Sequence, residues 1–243
     1  QRPVAAASLF ARTGDERWHD IVREAADFAD RVNSRLGCHV RINCDAVWYY
    51  LGADPEQADP EIREYALASL VVAADLALEN AASTVIGWGV EDDGQRPEWG
   101  HGLGGSPKVI TLLRAHAMTG DERYLAQAQQ TVAISTGANP LNTSFITGMG
   151  PNPPQYPLVV DSVAGAVPVW PGTPVFGGHA PRRDQAWMAE QLDAAGARPK
   201  VSDAPYVWKW FDVNRIAPMN EFTVHDSHGP TLFGLAYLAF VDP

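Results

Sequence analysis

Apolar residues recur three and four positions apart along much of the chain, the spacing of one face of an α-helix. Trp18, Ile21, Val22, Ala25, Phe28, Ala29 and Val32 form one such row, which predicts a helix running to about Val32. Residues 5–12 read as the end of the helix before it. Between them lies Thr13-Gly14-Asp15, where Gly14 can take the left-handed position that closes a helix and Asp15 can cap the next. A third helix is expected over residues 60–80: Pro60 suits a first turn, and Ile62, Tyr65, Ala66, Leu70, Ala73, Leu76 and Ala77 make its apolar face. Pro107 opens another, to about Met118. Helical periodicity returns over residues 183–195 and from about Glu221 to Val241, where Phe222, Leu232, Leu235, Ala236, Leu238 and Ala239 are the apolar positions. Residues 38–51, with Trp48, Tyr49 and Tyr50, are mixed, and short strands are expected at 158–160 and 167–170.

One pattern occurs twice. ARTGDERW at 11–18 returns as AMTGDERY at 117–124, 106 residues on. Each copy joins the end of one helix to the start of another, so the repeated unit is a helical hairpin. A hairpin cannot bury its apolar face alone, and several must pack side by side. The expected fold is therefore all-α. Two segments interrupt it: 87–105, rich in Gly and Trp, and 137–206, rich in Pro and Gly. They follow corresponding helix ends, so in a hairpin array these long loops would gather on one rim and build a cleft. The second opens with GANPLNTSFITGMGPNPPQYP at 137–157. Leu141, Phe145, Ile146 and Met149 demand packing there, and Asn139, Asn142, Thr143 and Ser144 can tie side chains to nearby backbone. It reads equally as a structural Ω-type loop and as a functional loop on a rigid scaffold. No shift of composition marks a second domain, so residues 1–243 are read as one helical-hairpin domain.

A net charge of −11 with 18 Lys and Arg argues against nucleic acid or an anionic membrane as partner. No uninterrupted apolar run has the length to span a bilayer. The chain starts at Gln1 without a signal-peptide pattern, as expected of a processed protein or a piece of a longer one. Eight Trp and seven Tyr suit core packing, or stacking on the C–H faces of sugars. Two cysteines, Cys38 and Cys44, could close a short disulfide loop, which would suit an oxidising compartment. With His39 and Asp45 beside them they still lack a zinc-site spacing. P-loop, dinucleotide, HExxH and GxSxG patterns are absent, and no cofactor or metal is expected.

The chemistry-bearing residues concentrate in VWKWFDVNRIAPMNEFTVHDSHGP at 207–230. It holds Trp208, Trp210, Asp212, Arg215, Asn220, Glu221, His225, Asp226 and His228. At a helix start Glu221 could be a plain cap, stabilised as the anion. As a general acid it would need burial or a neighbouring carboxylate to raise its pKa. Glu221 and His225 would share a helix face if the helix has begun by there.

The segment at 137–157 resembles the part of family 9 glycoside hydrolases in which Asn-Pro precedes a Ser-aromatic-Val-Thr-Gly run and a proline-flanked turn. PEWGHGLGGSPKVITLLRAHAMTGDERYLAQAQQ is similar to the helix pair that precedes it in the family, and VPVWPGTPVFGG to a Pro-Gly turn that follows. Asn220-Glu221 is similar to the Asn-Glu pair that carries the family's proton donor. Order and spacing agree over roughly 85–243, and the N-terminal third fits as earlier hairpins. The resemblance implies an (α/α)6 toroid, or part of one, and inverting hydrolysis of a β-linked polysaccharide or oligosaccharide. One carboxylic acid then protonates the leaving oxygen while another carboxylate activates water from the opposite side. Glu221 takes the acid role by position. Trp99, Tyr156, Trp208, Trp210, Asp212 and His225 are expected to contact substrate, and a secreted or periplasmic location is implied.

Two departures accompany the resemblance. The family's Asp-Ala-Gly-Asp motif, which carries the base, is absent, and the helices are about half of a toroid's. The chain therefore resembles the C-terminal portion of such a domain, with the N-terminal half missing or on another chain. Where the family's His-His-Arg cluster should follow Pro157, this chain has Leu158, Val159 and Val160, which favours a divergent substrate. Tyr156, Asp161, His179 and His225 are candidates to take over those contacts. Two other readings stand beside the hydrolase: a carbohydrate-binding remnant without chemistry, and a polysaccharide lyase using Tyr156 or His225 as base. Against the lyase, the composition provides no basic cleft to neutralise a uronate.

Overall fold

Arg2–Thr13 (α1) and Glu16–Ala25 (α2) are joined by the first copy of the repeated turn, and Val109–Thr119 (α5) and Glu122–Ser135 (α6) by the second. The structure is a computed structural model that describes residues 2–26, 38, 41–87, 109–178, 186–204, 210–213 and 220–241. The two turns are built alike. Gly14 and Gly120 sit at φ of 63° and 71°, left-handed backbone that glycine adopts without strain. Their N–H groups donate to the carbonyls of Phe10 and His116, both at 2.8 Å. Thr13 Oγ1 and Thr119 Oγ1 donate back to Leu9 and Ala115 at 2.8 and 2.7 Å, and accept from the Asp15 and Asp121 N–H groups, both at 3.2 Å. Asp15 then caps α2 by accepting from the Arg17 N–H at 3.0 Å. The hairpin reading of the repeat is borne out in both copies.

The remaining helices are Arg41–Leu51 (α3), Pro60–Ser83 (α4), Val160–Gly165 (α7), Ala186–Ala194 (α8) and Gly229–Phe240 (α9). The only β pairing among the described residues is an isolated bridge between Ile146 and Pro174. Several boundaries differ from the sequence pattern. α2 stops at Ala25, because Ala26 leaves the helical region at φ −85° and ψ 81°. Residues 41–51, mixed by pattern, are helical. The strand expected at 158–160 is absent, since Val160 opens α7, and residues 167–170 make no strand. α4 buries Ile62, Ala66, Leu70, Ala74, Ala77 and Ala81, while Leu76 is 45% exposed. By length and composition alone α4 could cross a membrane, although no uninterrupted apolar run suggests it.

The described residues divide into two compact units, 1–76 with 114–121 and 77–113 with 122–243. In the first, α1 packs on α2 and α3. Phe10 stacks on His19 with ring centroids 4.2 Å apart, and His19 shares a hydrogen bond of 2.8 Å with Tyr50 Oη. Asp45 on α3 pairs with Arg114 on α5 at 2.8 Å, and that guanidinium lies 5.4 Å from the Trp48 ring centre. Cys38 and Cys44 are disulfide-bonded and buried.

The second unit packs α6 through Tyr124, Leu125, Ala128, Thr131 and Ile134. Each fully buried Leu or Phe contributes about 2 kcal/mol. Gln127 donates to the Gly87 carbonyl at 2.8 Å and holds the chain that leaves α4. A smaller core joins Met188 and Leu192 of α8 to Val201, with Trp210, Phe211 and Val213 against it.

Candidate functional site

The segment after α6 is irregular yet ordered by its own side chains. Asn139 is its hub: the amide donates to the Ile134 and Thr143 carbonyls, both at 2.7 Å, and Oδ1 accepts from the N–H groups of Leu141 and Thr143 at 3.1 and 3.3 Å. Thr143, Ser144, Phe145, Ile146 and Thr147 are consequently buried. Met149, expected to pack with them, is 43% exposed, because the chain turns outward between Gly148 and Gly150, at φ of 65° and 69°.

Extended pieces of three loops then bond side by side. Phe145 N–H donates to Ser135 at 3.0 Å, Val175 N–H to Phe145 at 2.9 Å, and Thr147 N–H to Thr173 at 3.0 Å. Phe176 N–H donates to the Glu221 carbonyl at 2.9 Å, and Leu158 N–H to the Asn220 carbonyl at 2.7 Å. The backbone of Asn220-Glu221 is thereby gripped from two directions. Asn220 is fully buried, and its amide donates to the Phe211 carbonyl at 3.1 Å and reaches Asp212 Oδ1 at 3.4 Å.

Asp212 ties the same elements together. Its Oδ2 accepts from Gln155 N–H at 2.7 Å and its Oδ1 from Tyr156 N–H at 3.0 Å. Burial pushes its carboxyl above the ordinary value, against the downward pull of those two N–H donors. Two loops remote in sequence are thus clasped by one side chain, and the Tyr156 ring is left 59% exposed.

Glu221 is half-buried and precedes the helix by more than the pattern suggested. Residues 221–223 have no regular secondary structure, Val224–His228 form a π-helical turn, and α9 begins only at Gly229. Glu221 is therefore neither a cap of α9 nor on a shared helix face with His225, since helical backbone starts after it. Ser227 accounts for this break: its hydroxyl donates to the Thr223 carbonyl at 2.7 Å and accepts the Thr223 N–H at 2.9 Å, tying off the turn. Trp210 packs edge-on against Phe145, with ring centroids 5.7 Å apart, and its buried indole N–H has no hydrogen-bond partner among the described residues. Trp99, His179 and Trp208 lie outside the described residues, as does the side chain of His225. Asp161 is exposed on α7.

The Asp212 carboxylate joins the Tyr156 backbone to the Asn220 side chain, and Glu221, next in the chain, is held through its carbonyl by Phe176 N–H. Sequence reasoning named all four, but not the clasp by Asp212. It also passed over Trp170, 82% exposed, and a cavity of about 290 Å3 bordered by Tyr156, Pro157, Val163 and Val167. Run-of-sequence signals for these are weak, because valines and prolines there read as a strand.

No family model matches the chain. Endoglucanase D of Acetivibrio thermocellus is 26% identical over 184 residues, covering 74% of this chain and 28% of that protein. The crystal structure of the glycoside hydrolase family 9 endoglucanase J30 superposes with a TM-score of 0.75 at 25% identity, over 97% of this chain and 41% of its own. AaCel9A, solved in complex with cellobiose-like isofagomine, gives 0.74 at 23% identity, over 98% and 42%. The chain therefore spans less than half the length of each. It is similar to family 9 endoglucanases in sequence and fold along most of its length, as a divergent relative. Its fold class is theirs, all-α, an (α/α)6 toroid or part of one.

Proposed function

We propose that this chain is the C-terminal portion of a glycoside hydrolase that acts on a β-linked polysaccharide or oligosaccharide by inversion, with Glu221 as proton donor. The observation that carries this reading is the double grip on Asn220-Glu221, by Leu158 on one residue and Phe176 on the next. A general acid must be held within hydrogen-bond reach of the leaving oxygen, and backbone restraint on both residues supplies that positioning. The likeness to endoglucanases supports the substrate class.

In this reading the acid's proton passes to the glycosidic oxygen while a carboxylate on the opposite face draws a proton from water. That second carboxylate belongs to the part of the relatives' length that this chain does not span. Asp212 acts as a positioning residue: with both oxygens on backbone N–H groups, it sets Tyr156 rather than touching sugar. Tyr156, Trp99, Trp208, Trp210 and His225 are the proposed substrate contacts. The Cys38–Cys44 disulfide favours an extracytoplasmic location.

The test is reducing-sugar release from a soluble β-glucan by the longest active form containing this chain. Glu221→Gln is expected to lower kcat by at least about 10²-fold with unchanged circular dichroism. Undiminished release by that variant would overturn the assignment. The apolar run Leu158-Val159-Val160 favours one second reading, a carbohydrate-binding module without chemistry. It predicts oligosaccharide binding that survives Glu221→Gln, with no release by either form.

A further inference from the structure

α9 is apolar on every side. Gly229–Phe240 reads GPTLFGLAYLAF, twelve residues without a charged or amide side chain. A helix of that composition belongs in an interior, with all its faces covered. Yet Pro230, Thr231 and Gly234 are its only buried residues. They share one face. A Cβ on Gly234 would lie 3.2 Å from Val109 Cγ1, so that face meets the start of α5.

The opposite face is bare. At about 100° per residue, Leu232, Ala236, Ala239 and Phe240 fall on the side of α9 away from Pro230, Thr231 and Gly234. Leu232 is 71% exposed and Phe240 87%, while Ala239 is exposed and Ala236 half-buried. Spacing of this kind is the row that one helix offers to another. Large side chains stand at its two ends, and two alanines between them let a second backbone come close.

Length, charge and fold together say what covers the row. Twelve residues rise about 18 Å, short of the roughly 30 Å of a bilayer's apolar layer. With no Lys or Arg, α9 also lacks the charges that hold a helix flat on anionic lipid. A helical neighbour is what the fold supplies. An (α/α)6 toroid is a closed ring of hairpins, each packed between two others. The J30 endoglucanase uses 41% of its length to superpose on 97% of this chain, so more than half of that protein has no counterpart here. A part of a closed ring leaves one side of its last helix uncovered, and α9 is last in the order of this chain. We infer that the outward face of α9 is a docking seam for a helix from the N-terminal portion of the toroid, carried on the same polypeptide. The inference rests on reading the chain as the C-terminal portion of such a fold, and not on Glu221 as the acid. It deepens that reading, because α9 follows Glu221 by a single π-helical turn. The part that seats on α9 is then the part expected to bring the second carboxylate.

Alkylation of Leu232→Cys and Phe240→Cys by iodoacetamide, read by peptide mass mapping, tests the seam. Cys38 and Cys44 are bonded to each other, so the new thiol is the reactive one in these 243 residues. In the 243-residue chain alone, positions 232 and 240 are expected to react at least about tenfold faster than Thr231→Cys on the covered face. In the longest polypeptide encoded with this chain, both should slow to the rate at 231. Ala239→Trp, which blocks a close approach, should lower the Tm of that longer form by about 5 °C or more and leave the shorter chain unchanged. Thiols that stay fast in the longer form overturn the inference, as does an Ala239→Trp variant of it with unaltered Tm. Protection in the shorter chain that fades on dilution assigns the face to a second copy and also overturns it. Protection in a longer form that never cleaves a glycoside upholds the seam and sinks the hydrolase. Cleavage that needs Glu221, with both thiols fast, does the reverse.

Discussion

His19 shows how one side chain couples the first hairpin to solution conditions. It is 1% exposed, stacked on Phe10 and hydrogen-bonded to Tyr50, whose own phenol burial pushes up to about 12. Burial lowers the His19 pKa below its ordinary 6.5, helped by the positive charge of Arg23 and opposed by Glu16 and Asp59. The unfolded chain then binds the proton more readily than the folded one. The contribution is full above 6.5 and is lost as pH falls through the folded value. Tm should therefore decline as pH falls below 6.5, and His19→Gln should flatten that slope; a wild-type Tm that stays level as the solution is acidified would contradict the account. The acidic partners Asp15 and Glu16 titrate lower, both depressed below their ordinary values of 3.8 and 4.5, so their acid loss falls in a separate window.

At the scale of elements, the loop after α6 carries the sharper constraints. Gly150 and Gly120 share a left-handed backbone, at φ 69° and 71°, but not a neighbourhood. A Cβ on Gly120 would meet nothing within 4 Å, whereas on Gly150 it would lie 2.7 Å from the Thr136 carbonyl oxygen and 2.9 Å from Ser144 Cβ. Gly120→Ala is expected to cost about 1 kcal/mol from backbone alone. Gly150→Ala adds a clash with backbone that cannot swing aside, for a total of about 2–4 kcal/mol. Urea titration of the two variants separates these values, and equal losses would show that the loop yields. The hairpins were legible in the sequence because Thr-Gly-Asp chemistry acts within five residues. The break before α9 was not, because Ser227 closes a turn on Thr223 inside a run whose apolar spacing still reads as helix.

For the molecule as a whole, one covalent link bears directly on stability. The Cys38–Cys44 bond closes a loop of sequence separation six. Loop-closure entropy for so short a ring gives about 2 kcal/mol. Reduction should lower Tm by that equivalent, and an unchanged Tm on full reduction would assign the bond no thermodynamic role. The chain spans 28% of Endoglucanase D and 41% of the J30 endoglucanase that it superposes on.

The sequence by itself determined the all-α class, the repeated hairpin turn and the pairing candidates at Cys38 and Cys44. Each of these is written in local spacing, where a helix face, a left-handed glycine or a capping oxygen acts within a turn of its own position. Only the tertiary structure decided that Asp212 clasps the Gln155–Tyr156 backbone, that Phe176 and Leu158 grip Asn220-Glu221, and that valines beside Tyr156 wall a cavity instead of forming a strand. Those contacts join segments some 45 to 60 positions apart through single hydrogen bonds. A one-dimensional pattern records what a residue can bond, not which distant backbone the fold will bring to it.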